Sequence, residues 1–172
     1  TIVKVDKLSI LFGYLFHIAA FFGIIYALHV RDTVQQVSSI VYAGSALGAV
    51  FAGDMIVLFI FWEMLAISSV FLIWARGTER AYQAGIRYLI LQIGSGVILL
   101  SGILINIHQT GSIAITTMPL ENLASWLILL ALGIKCAFPF LHTWLTDAYP
   151  EATPTGTVFL SAFTTKVAVY AL

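Results

Sequence analysis

Three charged side chains stand alone in long apolar stretches of this 172-residue sequence: Glu63, Lys135 and Lys166. A carboxylate and an amine that lie close together inside a protein can exchange protons, because both groups titrate and the charge on each shifts the pKa of the other. Lys135 is the one Asp, Glu, Lys or Arg residue in the stretch 122–146, and Pro139 follows it by four residues. Proline has no backbone N–H and breaks a helix. The sequence therefore places a buried charge beside a helix break, which points to the movement of protons or ions.

The depth of these three charges supports that interpretation. Each lies nine to twelve residues from the nearer polar end of its apolar stretch, or roughly 13–18 Å along a helix that rises 1.5 Å per residue. That distance is close to the middle of a hydrocarbon core about 30 Å thick. Ionisable residues at this depth are functional by default, although a lone charge also pins helices together through an ion pair. Both interpretations stay open from the residues alone.

Composition assigns the chain to a membrane. It is 60% hydrophobic and 9% charged, with a mean hydropathy of +1.01, whereas soluble domains carry about 25% charged residues. Eight basic and eight acidic side chains cancel, so net charge suggests no nucleic-acid partner. The single cysteine, Cys136, excludes an internal disulfide. No haem, quinone, metal or nucleotide motif is present, so we expect no cofactor, no metal and no catalytic site in this chain.

The gaps between charged residues predict an all-α bundle of about six membrane helices. Strands of alternating polarity are absent, which argues against a barrel. The fifth helix is expected to break near Lys135 and Pro139. The six stretches are 8–30, 33–53, 55–75, 88–108, 122–146 and 152–172.

The connections give an orientation. Residues 76–87 are predicted to form a polar, arginine-rich loop, and the last helix is predicted to begin near Pro154 with Thr153 or Thr155 as its cap. Asp54 is expected to cap the third helix. Four Lys and Arg residues lie at one end of the bundle and two at the other, so the end with four is predicted to be cytoplasmic and the N-terminal residue to lie outside. The counted residues are Arg31, Arg76, Arg80 and Arg87 at one end, against Lys4 and Lys7 at the other.

Two weaker signals leave alternatives open. His142 lies seven residues after Lys135, and would share its face if the helix continued, as a relay for protons. It equally fits a hydrogen-bonded histidine near a helix end. Arg87 is interpreted as an orientation signal, with a link to Glu63 as the alternative. Gly94 and Gly96 give the fourth helix a small face, for which close helix packing is the ordinary explanation.

Several stretches resemble the proton-conducting membrane transporter family. They are KCAFPFLHTWLTDAY at 135–149, ATPT at 152–155, TKVAVYAL at 165–172, FWEM at 61–64 and QTGS at 109–112. That family contains the antiporter-like subunits of respiratory complex I, subunits of Mrp-type cation/proton antiporters, and membrane-arm subunits of related hydrogenases. The motifs occur in family order over most of the chain.

The resemblance implies roles for the residues singled out above. Glu63 matches the family's essential glutamate, Lys135 the lysine of its first broken helix, and Lys166 the lysine or histidine of the next helix. His142 falls where several members carry histidine. Members have about fourteen helices in two inverted repeats, so residues 1–172 are expected to be a single transmembrane domain that forms most of the first repeat. The chain starts without Met and stops inside an apolar run, which predicts a fragment.

The family implies partners and a location as well. We expect other membrane subunits of a multisubunit complex, the lipid bilayer, and protons, with Na⁺ as an alternative coupling ion. The location is a bacterial or archaeal cell membrane or an energy-transducing organelle inner membrane. Lys166 is similar to the lysine of the D-type member of an Mrp antiporter and of the M- and N-type members of complex I, and it argues against the L-type member. The ending TKVAVYAL resembles the D-type member most. The alternative is an M- or N-type member of complex I or a related hydrogenase. Whether the chain belongs to an enzyme stays open, because redox chemistry would occur in other subunits. A purely structural membrane protein is the alternative of another class.

Overall fold

Seven α-helices make up most of this protein in a computed structural model, which describes residues 2–172. In that part of the chain the only β-structure is two isolated bridges, Val3 with Ala52 and Asp54 with Ala114. The prediction of an all-α fold is therefore confirmed. The helices are α1 Lys7–Ala27, α2 Thr33–Val50, α3 Met55–Trp74, α4 Glu79–Thr110, α5 Leu123–Lys135, α6 Thr143–Ala148 and α7 Pro154–Ala171, with a 3₁₀ turn Tyr149–Glu151 before α7.

Side-chain caps fix where several helices begin. The Asp54 carboxylate accepts a hydrogen bond from the Val57 backbone N–H at 3.0 Å, so α3 begins at its predicted cap. The Thr153 hydroxyl accepts from the Gly156 N–H at 3.0 Å, and Pro154 occupies the first turn of α7. Both predicted caps are confirmed.

The start of α4 differs from the prediction. The helix begins at Glu79, nine residues before the predicted start of the stretch 88–108, so residues 79–87 are helical rather than a loop. Thr78 caps it by accepting from the Ala81 N–H at 3.1 Å. The charges misled the prediction because Arg87 lies on the outer side of the helix, while the opposite face is apolar and buried.

Three helices, α1, α3 and α4, are long and apolar enough to cross a membrane. A polytopic helical membrane fold is consistent with this, but the count of six spans is not confirmed. Helices α2 and α7 have 18 residues each and carry more polar side chains, and α5 has 13 residues. The outward face of α1 exposes large apolar residues such as Leu15, Ile18 and Phe22, as a lipid-facing or subunit-facing surface would.

The packing brings α3, α4, α5 and α7 together. Helix α3 packs between α2 and α4, α4 packs on α5, and α7 contacts α1, α2, α3 and α5. Three of the arginines form ion pairs at one end of the bundle. A guanidinium nitrogen of Arg76 lies 3.9 Å, and the Nε atom of Arg80 3.6 Å, from carboxylate oxygens of Glu151, and Arg87 pairs with Asp147. These acidic partners come from the segment before α7, so that segment lies at the same end of the bundle.

Candidate functional site

Helix α3 carries Glu63 into the interior of the bundle beside the fully buried Trp62. Glu63 is half-buried, and its Oε1 atom is buried without a hydrogen-bond partner in the described part of the chain. Helix α4 contacts this carboxylate at Gly96, where a Cβ atom would overlap Oε1. The carboxylate therefore lies against the backbone of α4, in the space that a Cβ atom at residue 96 would occupy.

The break that was predicted after Lys135 is confirmed, and its geometry is a Schellman motif. Helix α5 ends at Lys135, and Ala137 adopts the left-handed conformation with φ of 59°. The Phe138 N–H donates to the Gly133 carbonyl at 2.9 Å, and the Ala137 N–H donates to the Ile134 carbonyl at 3.1 Å. These two bonds satisfy carbonyls that the helix end leaves without partners. Pro139 then prevents the helix from resuming at once.

Lys135 is fully buried, and its ammonium group is held by α3. The Nζ atom donates to the Trp62 carbonyl at 2.8 Å and lies 4.1 Å from the centroid of the Trp62 ring. A cation over an indole face is attracted by the ring quadrupole. As the last residue of α5, Lys135 also stands at the negative end of a helix dipole, which favours a positive charge. The break thus places the ammonium where three separate features stabilise it.

Glu63 and Lys135 are brought into one site without forming a direct ion pair. The two charges are close enough to interact electrostatically. Among the described residues, however, the side-chain ion pairs are confined to the arginine-rich end of the bundle. An acid and a base that sit near each other, yet are not locked in contact, are free to exchange a proton through an intervening hydrogen-bonded group.

Lys166 is placed differently. It is exposed on the outer face of α7, and its ammonium donates to the Ser161 carbonyl of the same helix at 2.6 Å. Helix α7 runs antiparallel to α3, and a Cβ atom at Gly156 would lie 2.8 Å from the Leu72 carbonyl oxygen. The depth of Lys166 relative to Glu63 and Lys135 stays a prediction.

His142 does not share a helix face with Lys135. The helix does not continue through Pro139, and His142 is the exposed N-cap residue of α6, with no side-chain cap bond. Its proposed relay role therefore has no support from helical spacing, because the break changes the direction of the chain. The role itself stays a prediction.

Arg87 pairs with Asp147 rather than with Glu63. Its guanidinium donates two hydrogen bonds to the Asp147 carboxylate, Nε to Oδ2 at 2.7 Å and one terminal nitrogen to Oδ1 at 2.9 Å. These bonds from Arg87 hold the pKa of Asp147 below its usual range. The suggested link to Glu63 is wrong, because Arg87 lies at the end of the bundle. The pair joins α4 to α6.

Two residues near the site were missed by sequence reasoning. The Trp144 indole donates to the Ile134 carbonyl at 2.8 Å, which ties α6 back onto the end of α5. Gln92 is fully buried in α4. Gln92 could have been singled out from the sequence, because it is a lone amide in the middle of an apolar helix. The position of Trp144 could not, because it depends on the turn after Lys135. Among the described residues no three His, Cys, Asp or Glu side chains are grouped as a metal would need.

Comparison with known protein families gives a match over most of the chain. A family model described as NADH:quinone oxidoreductase/Mrp antiporter, TM, matches residues 52–172. The M-type subunit of NADH-quinone oxidoreductase from Pseudomonas aeruginosa is 30% identical over 148 residues, covering 75% of this chain and 29% of that protein. The A-type subunit of the Na(+)/H(+) antiporter from Alkalihalophilus pseudofirmus is 31% identical, covering 98% of this chain and 23% of that protein. The chain thus spans less than a third of the length of these relatives.

Solved structures show the same fold. A chain of the Mrp complex from Dietzia sp. superposes with a TM-score of 0.90 at 25% identity, covering 98% of this chain and 34% of that one. A chain of respiratory complex I from Thermus thermophilus gives 0.86 at 20% identity, covering 99% of this chain and 40% of that one, a likeness of fold alone. These relatives are subunits of membrane complexes, so the predicted integral-membrane location is confirmed.

Proposed function

This chain belongs to the NADH:quinone oxidoreductase/Mrp antiporter membrane family, and from that premise we propose that it carries protons within an antiporter-like subunit. Its partners are the other membrane subunits of a multisubunit complex. Our first assignment within the family is the D-type subunit of an Mrp-type monovalent cation/proton antiporter. The ending TKVAVYAL supports it. An M- or N-type subunit of proton-pumping complex I, or a subunit of a related hydrogenase, is the alternative, and relatives of the M and N types support that interpretation.

One observation carries the proposal: a fully buried ammonium and a carboxylate share the interior without being paired directly. A proton that leaves the Lys135 ammonium is taken up by the Glu63 carboxylate, which leaves a neutral amine and a neutral acid. The reverse transfer restores both charges, so no further reactant is needed. Each transfer changes the local electric field and therefore the proton affinity of the next group.

Lys166 is the proposed onward site. Its predicted depth equals that of the Glu63–Lys135 site, and its side chain faces outward from these helices. Transfer to it requires that another part of the full-length protein cover this face of α7. We therefore assign residues 1–172 to most of the first of two inverted repeats, with six crossings in which α5 and α6 together form one discontinuous crossing, a layout common among transporters.

Transport by the assembled complex in proteoliposomes tests the proposal. We expect Glu63→Gln and Lys135→Met in the full-length protein to abolish proton-coupled transport, because neither replacement carries a proton. Subunit content and thermal stability of the purified complex serve as controls for assembly. Normal transport by either variant at normal assembly would refute the proposal.

The same preparation separates the family members. An Mrp-type antiporter acidifies or alkalinises the vesicle lumen in response to an imposed Na⁺ gradient without a redox substrate. A complex I subunit moves protons only when NADH is oxidised by co-purifying hydrophilic subunits. A response to NADH alone would replace the D-type assignment with the complex I alternative.

A structural role is the second candidate, and the Lys135–Trp62 contact favours it because that bond ties α5 to α3. In that case Glu63→Gln lowers the yield or stability of the complex but leaves transport per assembled complex unchanged. The two hypotheses therefore give opposite results in one experiment.

A further inference from the structure

Helix α4 contacts the Glu63 carboxylate at Gly96, where any larger residue would have to displace the carboxylate. A Cβ atom built at Gly96 would overlap Glu63 Oε1 and lie 2.6 Å from its Cδ atom. Gly94, two residues earlier on the same helix, has open space at the corresponding position. Close helix packing alone does not explain the glycine at 96, because the atom that fills its space belongs to the charged group.

One helical turn before Gly96, α4 carries a buried amide without protein partners. Gln92 is fully buried, and neither its Nε2 nor its Oε1 atom forms a hydrogen bond within the described residues. A further turn back, the Tyr88 hydroxyl is bonded to the Ser69 hydroxyl of α3 at 2.8 Å. Gln92 therefore lies between two points at which α4 contacts α3, one at Ser69 and one at Glu63.

The same level of α4 faces the end of α5. A Cβ atom at Gly102 would lie 2.8 Å from Ile128 Cγ1, which sets the antiparallel register of these two helices. Followed along both helices, that register brings Lys135 to about the level of Ser95, within one turn of Gln92. Gln92 thus lies near the junction of α4 with α3 and with the end of α5.

Unbonded polar atoms are concentrated at this junction. The buried side-chain atoms without a partner in the described chain are Trp62 Nε1, Glu63 Oε1 and both polar atoms of Gln92. A buried polar group without a hydrogen bond costs about 1–3 kcal/mol. Such groups in native proteins are bonded by internal water, which makes about three hydrogen bonds per molecule. An amide, a carboxylate and an indole offer both the donors and the acceptors that water needs.

We propose that α4 positions the Glu63 carboxylate through Gly96, whose missing side chain leaves the space it occupies, and through Gln92, which holds a water molecule that hydrogen-bonds to it. Gln92 and Gly96 are positioning residues, since neither carries a proton. The inference rests on the proposed function in that Glu63 is taken as a proton carrier. It adds that the water-mediated contact from α4 orients the carboxylate toward Lys135.

A matched pair of glycine variants tests the steric part. Gly96→Ala forces the carboxylate away from α4, and a displacement of 1 Å at a reacting group lowers rates up to about 100-fold. We expect at least about a tenfold loss of transport, by the same reasoning. Gly94→Ala adds the same methyl group to the same helix in open space and is expected to keep the wild-type rate. Equal rates for the two variants at equal assembly would overturn this part.

Infrared difference spectroscopy of the assembled complex tests whether Gln92 holds a water molecule that hydrogen-bonds to Glu63. The carboxyl band of Glu63 is identified by its loss in Glu63→Gln. We expect this band to move in Gln92→Leu and to return toward its wild-type position in Gln92→Asn, which keeps an amide. We also expect Gln92→Leu to remove an O–H stretching band that shifts in ¹⁸O-labelled water. An unmoved carboxyl band, with the water band intact, would show that Gln92 is only a buried polar residue.

These results separate the two proposals. If Glu63→Gln and Lys135→Met abolish transport while Gly96→Ala and Gln92→Leu change neither transport nor the carboxyl band, the inference fails and the proposed function stands. If Glu63→Gln transports normally, the proposed function fails, and the infrared bands still report whether α4 positions the carboxylate.

Discussion

Replacing Lys135 with methionine is predicted to leave the fold intact while it removes the titrating group. A lysine at the centre of a membrane helix costs at least about 2.5–3.5 kcal/mol on insertion scales. Here the ammonium regains stability from a bond to the Trp62 carbonyl at 2.8 Å and from the Trp62 ring 4.1 Å away. A hydrogen bond to a charged group contributes about 1.5–3 kcal/mol, and a desolvated cation–π contact about 2 kcal/mol. The helix end adds about 0.3–1 kcal/mol.

The cost of the charge and the gains from its contacts are therefore of similar size. Methionine is apolar and close to lysine in length, so it loses the contacts, avoids the cost and refills the same volume. The gains sum to about 4–6 kcal/mol, so we expect the free energy of unfolding to fall by no more than about 3.5 kcal/mol. Lys135→Ala is expected to be less stable than Lys135→Met by about 2–5 kcal/mol, because truncation of a buried side chain leaves a cavity.

Thermal unfolding and subunit content of the purified complex measure these differences, and proton-coupled transport is recorded on the same samples. Lys7→Met, at the exposed start of α1, controls for loss of a lysine elsewhere. If Lys135→Met failed to assemble, the contacts of the ammonium would outweigh the cost of burying its charge. The ammonium would then be holding α3 and α5 together, and the predicted stability of the variant would be refuted. Full transport by an assembled Lys135→Met would refute the role of Lys135 as a proton carrier.

Three further changes test the local geometry. Asp147→Asn removes the pair with Arg87, whose hydrogen bonds lower the pKa of Asp147 from 3.8. The stabilisation from this pair is present above pH 3.8 and is lost as the pH falls through the lowered pKa. The melting temperatures of wild type and variant should therefore differ at about pH 7 and converge in acid. Ala137→Gly relieves a left-handed residue with φ of 59° and is expected to stabilise the protein by about 1 kcal/mol, seen as a higher melting temperature. Thr153→Ala removes the cap bond to Gly156 and is expected to lower the stability of α7 by about 1 kcal/mol in the same assay.

Each of these changes has a control on the same element. Thr146→Asn, one residue before Asp147, should leave the pH dependence as in wild type. Cys136→Gly places glycine at a right-handed position and should destabilise, so a gain there equal to that of Ala137→Gly would contradict the strain argument. Thr153→Ser keeps the hydroxyl, and a loss as large as that of Thr153→Ala would show that the cap bond contributes little.

Local signals were enough to predict several helix boundaries. Asp54 and Thr153 are short polar residues that cap helices wherever an apolar run follows, and Pro139 ends a helix by its own covalent structure. The start of α4 was missed because Arg80 and Arg87 suggested a loop. A single exposed charged face is compatible with a helix when the other face is buried, and burial is decided by α3, which the local pattern does not report.

The sequence by itself determined that the chain lies in a membrane, that Glu63 and Lys135 stand within long apolar stretches, and that a helix breaks after Lys135. Composition, spacing between charges and the chemistry of proline are properties of the chain alone. Tertiary structure decided that Lys135 is bonded to Trp62, that Arg87 pairs with Asp147, and that Gly96 lies against the Glu63 carboxylate. Those contacts depend on how antiparallel helices align in register, and register is set by side-chain packing summed over whole helices rather than by any short motif.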